Sequence, residues 1–221
     1  MEPHDFNILK NPYRLLNNIL SSGSDPSEPL IQETENTEAT TNTSLEDMCE
    51  LGDGTPVDAS EVCNKIAPIE GNGKYTQQHG ASFSQAAGRY QFVGSTAVGE
   101  IKKLGYASTD EQARALWSRC RTSASPDCKK LQDAMCNSYS EYIIRSLKNR
   151  GYEPTMRNIY LAWNQGVGGA SVILEAAKNG TEVTDANISS NMKNQAWTKT
   201  NNARAFLNGM EDYMNSRGVT P

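Results

Sequence analysis

The stretch DASEVCNKIAPIEG, residues 58–71, decides how the chain is read. Asp58 with Glu61 three residues later forms a helix-capping pair, and Val62, Ile66 and Ile69 then return at helical spacing. Pro68 lacks an amide hydrogen and is expected to disturb the last turn, while Gly71 is expected to end the helix. The segment thus delivers Glu70 at the end of an apolar helical run, just ahead of an open Gly71-Asn72-Gly73 turn. A carboxyl placed there can be half stripped of water, which raises its pKa and keeps it protonated for acid catalysis. On position alone, an exposed terminal glutamate is the plainer reading.

Downstream, glycine, serine, glutamine and tyrosine dominate from Gly71 to Ser95, a composition expected to form a loop or short β-hairpin lining one side of a cleft. Helical periodicity then resumes. Ser108 with Glu111 reads as a second cap, and Leu131, Met135, Tyr142 and Leu147 trace an apolar stripe towards Gly151. Further helices are predicted at about 155–164, 169–179 and 200–217, the last carrying Phe206, Leu207, Met210 and Tyr213. Several short helices around one irregular segment predict a mainly α domain.

Upstream, residues 21–47 are rich in Ser, Thr, Asn, Glu and Pro and read as a linker or surface-wrapped coil. Ahead of them Phe6, Leu9, Leu15, Leu16, Ile19 and Leu20 suit a short amphipathic helix, read as an arm docked on the body in preference to a membrane or partner anchor. The 221 residues therefore divide into an N-terminal arm and polar linker, 1–47, and one domain, 48–221.

Charge follows the same division. Residues 1–62 hold thirteen acids against Lys10 and Arg14, and residues 63–221 hold nineteen bases against thirteen acids, so the net charge of −5 conceals an acidic tail and a basic body. A basic body attracts anionic polymers, of which bacterial cell wall is one and nucleic acid another. The cations are scattered and not bunched with aromatics, which argues against nucleic-acid recognition. No stretch approaches a membrane span, and Met1 to Asp5 lack a secretory pattern, so a soluble chain unprocessed by that route is expected.

Five cysteines, Cys49, Cys63, Cys120, Cys128 and Cys136, leave at least one unpaired within the chain. A Cys120–Cys128 bond would close the loop at Pro126, while reduced, buried cysteines fit equally well.

From Gly71 to Gly99 there is no Asp or Glu, so a second glycosidase carboxylate is not near Glu70 in sequence. One carboxyl suffices for strands containing muramic acid. The sugar's own 6-hydroxyl attacks the anomeric carbon, and a single glutamate protonates the glycosidic oxygen and then removes the hydroxyl proton.

Three ordered segments carry a resemblance: Ile69-Glu70-Gly71, then Gly88-Arg89-Tyr90-Gln91-Phe92 with Ser95-Thr96, then Ala162-Trp163-Asn164-Gln165-Gly166. Together, over about residues 58–217, they resemble the motifs of phage lysozymes and lytic transglycosylases. That resemblance implies a lysozyme-like fold, Glu70 as acid and base, Gln91 as a sugar contact and Asn164 as support across the cleft. Many members have serine after the glutamate where this chain has Gly71, so orientation of the carboxyl falls to another group, with Ser82 and Ser84 as candidates. Tyr213 is the candidate for the tyrosine that often assists from the family's last helix. The whole chain, acidic extension included, also resembles the muralytic enzymes carried on the nucleocapsid of enveloped double-stranded-RNA bacteriophages. This implies a virion location, action in the host periplasm during penetration and lysis, and bacterial peptidoglycan as substrate.

Tyr75, Tyr90 and Trp163 are candidate sugar-stacking rings, with core packing as the competing role. Arg89 is a candidate for binding a muramyl or peptide carboxylate, or for a structural salt bridge. Neither a cofactor nor a metal is required. An endopeptidase cutting the peptide cross-links is the main alternative. With only His4 and His79 in the chain, it would need His79 as base beside Cys63 or a serine. A non-catalytic wall-binding or capsid protein is a third reading. The acidic tail is expected to dock on a basic nucleocapsid or virion surface, to mask the body, or simply to aid solubility.

Overall fold

The computed structural model describes residues 59–78, 81–195 and 197–221. The N-terminal arm and linker, Asp58, Cys49 and His79 lie outside the described residues. Among the described residues there are seven helices: α1 Ala59–Gly71, α2 Gly94–Lys103, α3 Asp110–Cys120, α4 Pro126–Asn149, α5 Met156–Lys178, α6 Ala186–Lys193 and α7 Ala203–Ser216. The architecture is mainly α, as expected. Between α1 and α2 the chain forms a loop with isolated antiparallel bridges, Gln78 to Ala87 and Ala87 to Phe92, and no longer strand among the described residues.

α4 is the central element and packs against α1, α2, α3 and α5, while α5 also packs against α6 and α7. The apolar stripe on α4 explains this position: Leu131, Met135, Ile143 and Leu147 are all buried. Tyr142, placed on that stripe by its spacing, is exposed instead. Phe92 enters the core from the loop, with ring centroids 5.3 Å from Trp163, 5.9 Å from Tyr139 and 6.5 Å from Trp117. Such tilted and edge-on contacts are the favoured geometry of aromatic clusters.

Two disulfides join these helices. Cys63–Cys136 ties α1 to α4, and Cys120–Cys128 links the end of α3 to the first turn of α4. The second is the pairing considered from sequence; the first was not foreseen.

Local signals set the helix ends. Pro68 does not break α1, which continues to Gly71. Asn72, at φ 48°, then turns the chain so that the Gly73 N–H closes on the Ala67 carbonyl at 3.0 Å. The cap of α3 is Thr109 with Gln112, one residue beyond the expected Ser108 and Glu111 pair, and both bonds of a capping box are made. Ser125 caps α4 with Pro126 in its first turn. α5 consists of two helical halves, because Gly166 adopts φ 71° and ψ 157°, a backbone that side chains disfavour. α6 was not foreseen: Asp185 caps it through the Asn187 and Ile188 amides.

Candidate active site

Glu70 stands where the end of α1 meets α5 and α7. Gly71 lets the end of α1 lie against the loop ahead of α2, since a Cβ there would sit 2.4 Å from the Arg89 carbonyl oxygen and 3.1 Å from that of Gly88. The Glu70 side chain is half-buried, and Tyr160, on α5 and 2 % exposed, hydrogen-bonds its carboxyl. Burial pushes the Glu70 carboxyl up to about 7, against the opposing effect of the Tyr160 hydroxyl.

Tyr213 on α7 approaches from the other side. Its hydroxyl donates to the Ile69 carbonyl at 3.4 Å and accepts from Arg217 at 3.2 Å, and Arg217 also donates to the Asn72 side chain at 2.8 Å. Burial pushes the Tyr213 phenol up, and the Glu70 charge adds to this against Arg217. Trp197 bridges the two tyrosines, stacked on Tyr213 at 4.9 Å and tilted to Tyr160 at 6.2 Å. The structure therefore brings Glu70 and Tyr213 together and adds Tyr160 and Trp197, which sequence reasoning missed.

Asn164 lies one helical turn beyond Tyr160, on the same face of α5. It is 9 % exposed, accepts from Gln165 at 2.6 Å and faces the Gln195 side chain at 3.5 Å. Trp163 and Tyr90, by contrast, are core residues at 2 % and 3 % exposure. Burial leaves neither ring a face for a sugar, so the packing role replaces the stacking one.

The loop that packs on Gly71 is braced from α4. Gln132, fully buried, accepts from the Arg89 amide at 2.8 Å and donates to the carbonyls of Cys120 at 2.8 Å and Tyr75 at 3.2 Å. Asp133 accepts from the hydroxyls of Tyr75 at 2.9 Å and Tyr90 at 2.7 Å. The guanidinium of Arg89 donates to Tyr75 at 2.9 Å and makes no salt bridge to a described residue. Gln91 occupies a positive φ of 53°, sparsely populated for a residue with a side chain, and its amide nitrogen donates to the Gly88 carbonyl at 2.7 Å. At 3 % exposure it braces the turn and is not an open sugar contact.

Ser82 and Ser84 are exposed, and their hydroxyls lie 2.9 Å apart, bonded to each other. The Ser82 carbonyl accepts from Arg121. Neither serine acts on Glu70; Tyr160 takes the orienting role assigned to them. Cys63, the candidate thiol of a peptidase, is bound to Cys136 and has no thiolate to offer.

Chemically, Glu70 is a proton donor and acceptor poised near neutrality, fixed by one phenol and flanked by a second. Comparison with protein-family models, with curated proteins and with solved structures gives no match, so function is argued from this geometry and from the sequence motifs.

Proposed function

We propose that the chain is a peptidoglycan-degrading enzyme that cleaves the glycan strand as a lytic transglycosylase on a lysozyme-like scaffold, with Glu70 as its acid and base. The observation that carries this reading is the Glu70 carboxyl held near neutrality by burial and bonded by Tyr160. A single group with that pKa gives its proton to the glycosidic oxygen and then accepts one from the attacking hydroxyl without a partner carboxylate. The resemblance of the three ordered motifs supplies the substrate class.

In the proposed cycle, Glu70 protonates the leaving oxygen as the bond to the muramyl anomeric carbon breaks. The 6-hydroxyl of the same sugar closes on that carbon and returns its proton to Glu70, leaving a 1,6-anhydro end. Tyr160 holds the carboxyl in place, and Asn164, a turn away on the same face, supports the opposite wall.

The wider setting belongs to the same proposal. The acidic N-terminal segment docks the basic body on a virion or nucleocapsid surface, and the enzyme acts in the host periplasm during wall penetration and lysis. Two disulfides suit a protein that works outside a reducing compartment.

Mass spectrometry of fragments released from purified Gram-negative peptidoglycan, with Glu70→Gln as control, tests the reading. Anhydro-muropeptides are expected from the wild type and none from the variant. Reducing ends bearing one added water mean a hydrolytic muramidase on the same residues. Intact strands with freed peptide ends mean an endopeptidase and overturn the role of Glu70, and binding without cleavage means a non-catalytic wall-binding protein.

A further inference from the structure

Five residues beyond Glu70, the Tyr75 ring is shared by two cations. The Arg89 guanidinium carbon lies 4.9 Å from its centroid and 5.6 Å from that of Tyr90, and the Lys129 ammonium lies 5.5 Å from the Tyr75 centroid. Among the described residues, neither cation has a carboxylate within 4.0 Å. The nearby carboxylate, Asp133, has both oxygens engaged by phenols: Oδ1 accepts from Tyr75 at 3.0 Å and Tyr90 at 2.7 Å, and Oδ2 from Tyr75 at 2.9 Å.

Arg89 is thus held without being satisfied. Among the described residues its guanidinium donates once, to the Tyr75 hydroxyl, and its buried Nε has no partner. Two rings fix the plane of the fork, and the Asp133-bound Tyr75 hydroxyl fixes one corner. A guanidinium pre-organised in this way loses little freedom when it takes up a planar anion. Lys129 is exposed and adds a second charge on the same ring. The Arg89 backbone lies at the end of the helix that carries Glu70, because its carbonyl is the group against which Gly71 packs.

We infer that Tyr75, Arg89 and Lys129 form a carboxylate-binding patch beside Glu70 that grips an acidic group on the peptide stem of the glycan. This rests on the reading of Glu70 as a glycan-cleaving acid. While the stems are attached, the free carboxylates of peptidoglycan sit on them, because the muramyl lactyl carboxyl is bound in the amide to the stem. The patch therefore makes the enzyme selective for strands that still carry peptides, over stripped strands whose lactyl carboxylates are blocked.

Cleavage rates of the full chain are compared on stem-bearing glycan and on the same glycan freed of peptide by an amidase, with the lactyl carboxylates that the amidase exposes blocked as methyl amides. The wild type is expected to favour the stem-bearing strand by roughly five- to tenfold, the size of one well-made charge-assisted contact at a surface. Added salt is expected to shrink that ratio. Lys129→Gln, at an exposed position, and Arg89→Lys, which keeps the charge but loses the fork, are each expected to bring it to within about twofold of unity. Equal wild-type rates on the two strands, or an unchanged ratio in both variants with wild-type melting, overturns the patch.

Failure to cleave either strand removes the proposed function instead, and the patch is then judged by calorimetry with the free tripeptide L-alanyl-γ-D-glutamyl-diaminopimelate. Binding that weakens at least threefold in Lys129→Gln supports the patch, and absence of binding at millimolar peptide overturns it.

Discussion

Gly71 and Arg89 are in backbone contact: a Cβ on the glycine would meet the arginine carbonyl oxygen at 2.4 Å and its carbon at 3.0 Å. Both neighbours are main chain, so no side chain can rotate away to make room. Introducing the serine that follows the glutamate in many lysozyme-like proteins is therefore expected to separate α1 from the loop that carries Arg89. Gly71→Ser should cost about 1–3 kcal/mol, the usual range for overpacking, measurable by urea denaturation. It should also lower activity by moving Glu70. Wild-type stability in this variant would mean that the loop adapts.

Glu70→Gln removes the transferable proton while nearly preserving shape, so activity should fall roughly 100-fold or more, read as release of soluble muropeptides. Its folded structure, checked by circular dichroism, should be unchanged.

The same substitution has a signed effect on stability. The folded carboxyl titrates near 7 and its ordinary value is 4.5, so the folded state holds the proton more tightly than the unfolded chain. At pH 4 both states are protonated and the group costs nothing. Stability is lost as pH rises from 4.5 to 7, up to about 3 kcal/mol. Glu70→Gln should thus melt with the wild type at pH 4 and above it at pH 8. Identical melting at pH 8 would mean that the carboxyl is not desolvated.

Much of this was legible in the sequence, and the rest failed for physical reasons. The two halves of α5 match the separate helices expected at about 155–164 and 169–179, and α7 was expected because Phe206, Leu207 and Met210 recur at helical spacing and are buried. α6 has Ile188 and Met192 as its buried apolar residues, too few in eight positions for a period to show. Glu70 was singled out by the motifs that follow it, because its place at the end of an apolar helix reads equally as an exposed glutamate. Tyr160 did not, because Ile159, Tyr160, Leu161, Ala162 and Trp163 are all buried and no periodicity marks which of them faces the acid. For the same reason Trp163 could not be assigned to core or cleft. The braces Gln132 and Asp133 act on residues 43 to 58 positions away, a pairing that local pattern does not encode.

The two disulfides should differ in worth. In the chain-entropy picture Cys63–Cys136, with a separation of 73, contributes roughly 4 kcal/mol, and Cys120–Cys128, with a separation of 8, roughly 2.5 kcal/mol. Cys136→Ala with Cys63→Ala should therefore lower the melting temperature more than the double substitution at Cys120 and Cys128. It should also reduce activity, because the first bond anchors the helix that carries Glu70. A larger drop from the short loop would contradict this ranking.

Tyr160→Phe tests whether the hydroxyl positions Glu70 or merely fills space. A hydrogen bond donated to a carboxylate favours its charged form, so its loss should raise the Glu70 pKa above about 7. If Glu70 must be protonated to act, the alkaline limb of the rate profile should move to higher pH while the maximal rate falls several-fold through lost orientation. KM should stay near the wild-type value, since Tyr160 is 2 % exposed and touches the acid rather than the sugar. Stability should drop by about 1 kcal/mol, the net worth of one hydrogen bond, offset in part because the phenyl ring still packs towards Trp197. A purely structural role predicts the stability loss with an unmoved profile, so the pH dependence of kcat, and not the activity at one pH, separates the two.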